Sequence, residues 1–236
     1  MKEAEKLRLA VSEDRKLAAE PAKERIYNYV REQILRGVLR GGSFVEEERI
    51  SSVMNVSRTP VREAFHRLEA ERFIELLPRR GAMVRQVTAE ELVQLYETRR
   101  MLEGTAAQKI CEQRLPLRDA VLQTLEAMEA MQDDFDRIDF YEHVHLDRSF
   151  HRSIVESAGN TVSTELYESL GSRQLRVAIA AATANPSRIR TIVAQHRDIY
   201  DGLIAHDYNA VRKTLDEHLH PVMDVVSRLH NVTSNG

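Results

Sequence analysis

From Val87 onward, apolar side chains recur at helical spacing with few interruptions, and this run of amphipathic segments limits the possible folds more than any other feature of the chain. Thr88 followed by Glu91 reads as a capping box. It opens a helix to about Arg114 with Leu92, Leu95, Tyr96, Leu102 and Ala106 turned inward. Pro116 opens a second helix to about Asp134. Four more are expected over Ile138–Ala158, Thr161–Ala184, Pro186–His206 and Tyr208–His230. Glycine and proline number only 9 and 6, and several of them stand between these segments. Six helices of five or six turns with short connections predict an antiparallel bundle. The longest stretch of small or apolar residues, around Val177 to Ala184, is far shorter than the roughly 20 residues that cross a bilayer. No membrane span is expected. The N-terminus lacks the apolar core of a secretory signal, so a cytoplasmic protein is expected. Cys111 is the single cysteine, which excludes an intrachain disulfide and a thiolate metal cluster; a metal would be held by His, Asp or Glu.

The first part of the chain has a different character. Residues 1–86 carry 18 Lys+Arg against 14 Asp+Glu, whereas the remainder carries 16 against 23, so the basic part is the one able to face a polyanion. Three short helices are predicted, over Ala22–Leu39 with a stop at Gly41-Gly42, over Glu46–Met54 with Val45, Ile50 and Val53 inward and Asn55 as a left-handed stop, and over Arg58–Arg72 with Pro60 in the first turn. Ile74 and Leu76, then Met83, Val84 and Val87, flank the basic turn Pro78-Arg79-Arg80-Gly81. This reads as a β-hairpin, with an irregular linker as the alternative. The chain therefore divides into a charged extension (1–21), a winged helix-turn-helix (22–87), a helical domain (88–230) and a short tail (231–236). The fold class is mainly α with a small β-hairpin wing.

The third helix carries the first chemistry. Val61, Phe65 and Leu68 form an inward stripe, while Thr59, Arg62, Glu63, His66 and Arg67 spread over the other face. A helix of this size fits the major groove, where an arginine near its N-terminus can bind guanine through two parallel bonds; Arg58 and Arg62 are the best placed. The hairpin tip suits a phosphate backbone or a minor groove. The plain alternative is that these arginines form a solvated surface. The string Ser57-Arg58-Thr59-Pro60-Val61-Arg62-Glu63-Ala64, with Leu68-Glu69-Ala70-Glu71 and Pro78-Arg79-Arg80-Gly81, resembles the N-terminal domain of GntR-family bacterial transcription regulators. The resemblance implies that Arg58, Thr59 and Arg62 contact operator DNA and that Gly81 reaches the minor groove. Candidate DNA-contacting residues are Arg49, Ser57, Arg58, Thr59, Arg62, His66, Arg67, Arg79, Arg80 and Gly81. Glu48 stands where the family often carries a further arginine, which leaves Arg49 as the substitute in helix two. One such module covers only a few base pairs, so a homodimer on a pseudo-palindromic duplex is expected.

The second constellation lies in the bundle. Asp147 and His151 are four residues apart on one helix face, and His196 and His218 lie on the last two helices. Four N/O ligands from three helices would suit Zn, Ni, Mn or Fe. The alternative is an Asp–His surface pair and histidines satisfied by their neighbours. His143 shares the Asp147/His151 stripe as a possible supporting partner. Tyr96-x-x-Arg99-x-x-Leu102-Glu103, Asp147-x-x-x-His151, Gly159-Asn160, Gln195-His196-Arg197 and Glu217-His218-Leu219 resemble the FCD ligand-binding domain of the FadR-type GntR branch. That resemblance implies a divalent metal on Asp147, His151, His196 and His218, with Arg99 and Asn160 as effector-binding candidates. The implied effector is a small carboxylic or sugar acid, and the implied function a metabolite-responsive regulator, a repressor by expectation. Gln195 replaces the family's usual acidic residue. Two other readings remain at this point: a metal-dependent enzyme acting on a small organic acid, and a regulator whose bundle is purely structural.

Overall fold

The computed structural model describes residues 20–78, 80–132, 138–221, 223 and 225–227. The expected tail, Arg79 and all but the last two residues of the N-terminal extension lie outside them. The chain forms two compact units, Met1–Gln86 and Val87–Gly236.

In the first unit, α1 (Ala22–Leu35) buries Ile26, Tyr27, Val30 and Leu35. It packs on α3 (Arg58–Ala70), which buries Val61, Ala64, Phe65 and Leu68. Each large side chain removed from water in this way contributes about 1.5–3 kcal/mol. α1 stops earlier than the Gly41-Gly42 pair suggested. Gly37 turns left-handed at φ +71° and the Leu39 amide bonds back to the Gln33 carbonyl at 3.0 Å, which closes the last turn. α2 (Glu47–Met54) ends at Asn55, left-handed at φ 51°. Only Ile50 of α2 is buried, and Val53, expected inward, is 58% exposed. The hairpin is β2 (Ile74–Leu77) against β3 (Gly81–Val84), antiparallel, with Ile74 opposite Val84 and Leu77 opposite Gly81. A third strand, β1 (Phe44–Val45), pairs with the other edge of β3. At two residues it is too short for any alternation to register in the sequence.

The second unit contains α4 (Ala89–Gln113), α5 (Asp119–Ala130), α6 (Phe140–Ser157), α7 (Thr161–Ser169), α8 (Gly171–Ala184), α9 (Arg188–Ile204) and α10 (Tyr208–His218). Caps define several starts. Thr88, Asp139, Asn160 and Asp207 each accept a backbone N–H of the first turn, at 3.0, 2.9, 3.2 and 3.1 Å. Ile110, Leu125, Phe150, Ile154, Tyr167 and Leu203 form the centre of the core.

Two of the expected bundle helices are divided. The segment expected as one helix over Thr161–Ala184 breaks at Leu170, whose amide bonds to Tyr167 three residues back. The Arg148 guanidinium occupies the space that a Cβ at Gly171 would need, so a side chain there would have to displace it. The last helix ends at His218 rather than running on to His230. Pro221 lacks the N–H that would bond to the Glu217 carbonyl and its ring collides with that turn; helical geometry resumes at Met223 and over 225–227. No described helix is long and apolar enough to cross a membrane.

Candidate functional site

In the first unit the start of α3 is the exposed, basic end. Ser57 precedes it without using its hydroxyl as a cap, and Ser57, Arg58, Thr59, Arg62 and His66 are all exposed. Arg58, Arg62, His66, Arg80 and Gly81 line one cleft between α3 and the wing. Gly81 is left-handed at φ +84°, and a Cβ there would come within 3.2 Å of the Val45 carbonyl, so the wing bends tightly over β1. The same cleft is lined by Glu46, Glu47 and Glu48 of the α2 region. Arg58 pairs with Glu48 at 3.0 Å and Arg62 with Glu47 at 2.9 Å. Arg49 is exposed on α2 but does not line the cleft. Arg67, also exposed, carries several contacts within the unit. It bonds Glu24 at 2.6 Å and Glu71 at 3.1 Å, and its guanidinium lies 3.7 Å over the Tyr27 ring, so it fastens α3 to α1.

In the second unit Asp147, His151, His196 and His218 converge, and their ligand atoms all lie within 4.8 Å of one another. His151 Nε2 is 3.0 Å from His196 Nε2 and 3.1 Å from His218 Nε2, and His196 Nε2 is 3.2 Å from Asp147 Oδ1. Separations of this size are what N and O donors adopt when each sits about 2.1 Å from a common point. Three imidazole nitrogens facing one another and a carboxylate fit a divalent cation; with no cation, several lone pairs would oppose each other. The supporting contacts fit as well. His218 Nδ1 lies 3.1 Å from Gln195 Oε1, and His151 Nδ1 lies 2.7 Å from Glu103 Oε2, which leaves both Nε2 atoms turned to the centre. Burial, together with the His151 and His143 charges, pushes His196 down to about 4 even though Asp147 pulls the other way. Burial likewise holds His218 well below the usual histidine range, with His196 and His151 acting in the same direction. For His196 and His218 this favours the neutral form that ligation requires. Burial opposes ionisation of Asp147, but the His196 hydrogen bond and the His151 and Arg99 charges outweigh it and keep the carboxyl well below its ordinary range.

Next to this centre is a cavity of about 60 Å³ lined by Tyr96, Arg99, His143, Asp147, Arg188 and His218, with apolar walls from α8 and α9. Arg99 is 5% exposed. Its Nε donates to Glu103 Oε1 at 2.8 Å, while its Nη2 is buried with no partner among the described residues. Glu103 also accepts from the Tyr167 hydroxyl at 2.8 Å. Burial opposes the charge on Glu103, but Arg99 and His151 override it and lower the carboxyl to about 2. Arg100, the next residue of α4, donates to the Leu219 carbonyl at 3.0 Å, just past the end of α10. Asn160 does not join this group. It is exposed, its side-chain oxygen caps α7, and it is absent from the cavity wall. Glu103, Tyr167 and Arg188 were not foreseen as site residues. The Arg99/Glu103 spacing of four marks an intrahelical pair, but the approach of Glu103 to His151 joins two helices and leaves no local pattern.

Residues 22–84 match the family described as bacterial regulatory proteins, gntR family, and residues 94–221 match the FCD domain. The chain belongs to the GntR regulators that carry an FCD domain. Among similar proteins, the HTH-type transcriptional repressor RspR of Escherichia coli K12 is 27% identical over 92% of this chain and 93% of its own length. A protein of Paenarthrobacter nicotinovorans named "Probable D-xylose utilization operon transcriptional repressor" is 29% identical over 82% of this chain and 84% of its own. Among solved structures, a GntR regulator of Rhodococcus sp. RHA1 superposes with a TM-score of 0.67 at 23% identity, covering 89% of this chain and 97% of that one. E. coli McbR/YncC gives 0.67 at 20% identity, covering 91% and 99%. These two share the fold. This GntR-family chain is a DNA-binding transcriptional regulator rather than an enzyme.

Proposed function

We propose that this GntR regulator is a metabolite-responsive repressor, acting as a homodimer on a pseudo-palindromic operator, whose helical unit holds a divalent metal ion and a small carboxylic or sugar acid. The observation that carries the reading is Arg99: a guanidinium 5% exposed, with a buried Nη2 that no described residue satisfies, on the wall of a cavity that reaches two of the four converging ligands. Glu103 already balances the Arg99 charge, so the spare Nη2 donor calls for an acceptor, which a carboxylate oxygen supplies. The repressor assignment draws on the printed names of two relatives.

Asp147, His151, His196 and His218 would hold the metal, whether Zn, Ni, Mn or Fe. When bound it supplies positive charge and open coordination positions for an acid oxygen. Arg99 orients the acid's carboxylate, Glu103 and Tyr167 hold Arg99 in place, and the apolar wall excludes water. An acid alters DNA affinity only by binding more tightly to one arrangement of the paired reading heads than to the other. Arg58, Thr59 and Arg62 approach base edges, while Ser57, His66 and Arg80, with Gly81 at the wing, serve the backbone and minor groove.

The test is a thermal-shift screen of small acids against metal-loaded protein, repeated with Arg99→Gln. A binder raises the unfolding temperature of the wild type in proportion to occupancy and not that of the variant, and it changes the protein's affinity for a palindromic duplex measured by fluorescence anisotropy. A screen in which no acid shifts either property would leave the bundle with a structural role only.

A further inference from the structure

The cleft of the reading head carries as much negative charge as positive. Among the described residues that line it, Arg58, Arg62 and Arg80 face Glu46, Glu47 and Glu48. A surface that held DNA by attraction to phosphate alone would be weakened by each of those carboxylates, because backbone affinity grows with the number of phosphates that cations neutralise. Glu48 stands in the first turn of α2, where the unbonded N–H groups favour an anion, and its side chain is 76% exposed. Its Oε1 lies 3.0 Å from Nη2 of Arg58, whose own side chain is 56% exposed. Neither residue is held by burial, so the pair joins α2 to α3 without contributing much to stability. What it changes is the use to which Arg58 can be put. A guanidinium has five N–H donors in a planar fork, and one on Nη2 satisfies Glu48. The remaining donors can serve O6 and N7 of a guanine, which are neutral acceptors and do not compete with the carboxylate. A phosphate is different. It brings a second anion to the same guanidinium and must either displace Glu48 or lie against it.

We infer that Glu48 is a specificity determinant: by holding Arg58 through one donor, it suppresses the arginine's attraction to backbone phosphate and leaves it competent for a guanine edge. The inference rests on the reading of Arg58 as a base contact. Glu48 lowers affinity for DNA at large and raises the ratio of operator to non-specific affinity, the quantity that decides whether a regulator finds its site among many competing ones. Glu47 makes the same kind of pair with Arg62, through Nε at 2.9 Å, but its carboxylate is only 28% exposed, so Glu48 is the position where charge can be removed with least disturbance to packing.

The experiment measures two affinities of each full-length protein by fluorescence anisotropy, across about 50 to 200 mM salt. One is for a duplex that the wild type enriches from a random library, the other for a scrambled duplex of equal length and composition. Glu48→Gln keeps the shape of the side chain and removes its charge. It is expected to raise affinity for the scrambled duplex about threefold, to raise that for the enriched duplex by less, and to steepen the salt dependence on the scrambled duplex by about one phosphate contact. In an Arg58→Ala background the same change is expected to have none of these effects, since there is no arginine to release. Glu32→Gln is the control for charge alone, because Glu32 pairs with Arg36 at 2.7 Å at the end of α1, outside the cleft. Equal changes on the two duplexes, an equal loss of discrimination in Glu32→Gln, or persistence of the effect without Arg58 would each overturn the inference and leave the base contact standing. A fall in affinity for the enriched duplex with no gain on the scrambled one would overturn it as well, by making Glu48 itself a base contact. If Arg58→Ala binds the enriched duplex as tightly as the wild type, the reading of Arg58 falls and the inference falls with it. If the wild type enriches no duplex, there is no discrimination for Glu48 to support and the inference is likewise overturned.

Discussion

Two arginine–glutamate pairs of nearly equal length behave as different objects. Arg62 meets Glu47 at 2.9 Å with side chains 62% and 28% exposed; Arg99 meets Glu103 at 2.8 Å with 6% and 1% exposed. The first pair sits in water, is screened by salt, and can exchange its carboxylate for a phosphate or a base edge at little cost. The second has lost its hydration and cannot release either partner without leaving a bare charge in the interior. The reading head thus keeps its cations available, whereas the helical unit locks one in place with a single donor spare. Distance alone distinguishes neither role; burial does.

The largest effect that would sharpen this contrast is in the interior. Glu103→Ala leaves Arg99 buried and unpaired and is expected to cost about 3–5 kcal/mol in urea unfolding, whereas Glu47→Ala should change stability by well under 1 kcal/mol. Equal losses would erase the distinction. Next, a metal chelator should lower the stability of metal-loaded wild type by about 2–3 kcal/mol when the metal had been present at about a hundred times its dissociation constant. His196→Ala should remove that response without altering how the reading head holds DNA. At the reading head, Arg58→Ala or Arg62→Ala should each weaken operator binding by about 1–3 kcal/mol if the arginine holds a guanine through two bonds, with the fold intact by circular dichroism. Unchanged affinity in both would take them out of the DNA interface. The smallest expected effect is Glu48→Gln. Freed from its carboxylate partner, Arg58 should bind DNA more tightly by no more than about 1 kcal/mol in a salt titration.

Much of the fold follows from periodicity that the sequence displays openly. Val61, Phe65 and Leu68 repeat at helical spacing and are all buried, and Thr88 with Glu91 forms the cap that its spacing announces. Breaks inside strong patterns are harder to read. Nothing local to 161–184 marks the division at Leu170 beyond Gly171, beside which the Arg148 guanidinium of another helix packs. Pro221 does mark the end of α10, but the apolar pattern on either side of it suggests continuity. At the site, Asp147/His151 can be read as a helical pair because both residues share one helix. That His196 and His218 meet them is carried by resemblance, since three helices must pack before the atoms meet. Arg67 and Asn160 have local contacts that are equally hard to read ahead of the fold. Each is polar and suitably located along the chain, and each is used by a local contact, the one with Glu24 and Glu71, the other with the first turn of α7.

One turn of α4 has a further consequence. Arg99, Arg100 and Glu103 reach, in that order, the cavity, the carbonyl that follows α10, and the ring of His151. One turn of a single helix thus touches the cavity and two other helices at once. In chain order α4 is also the helix that follows the wing, through Val87 and Thr88.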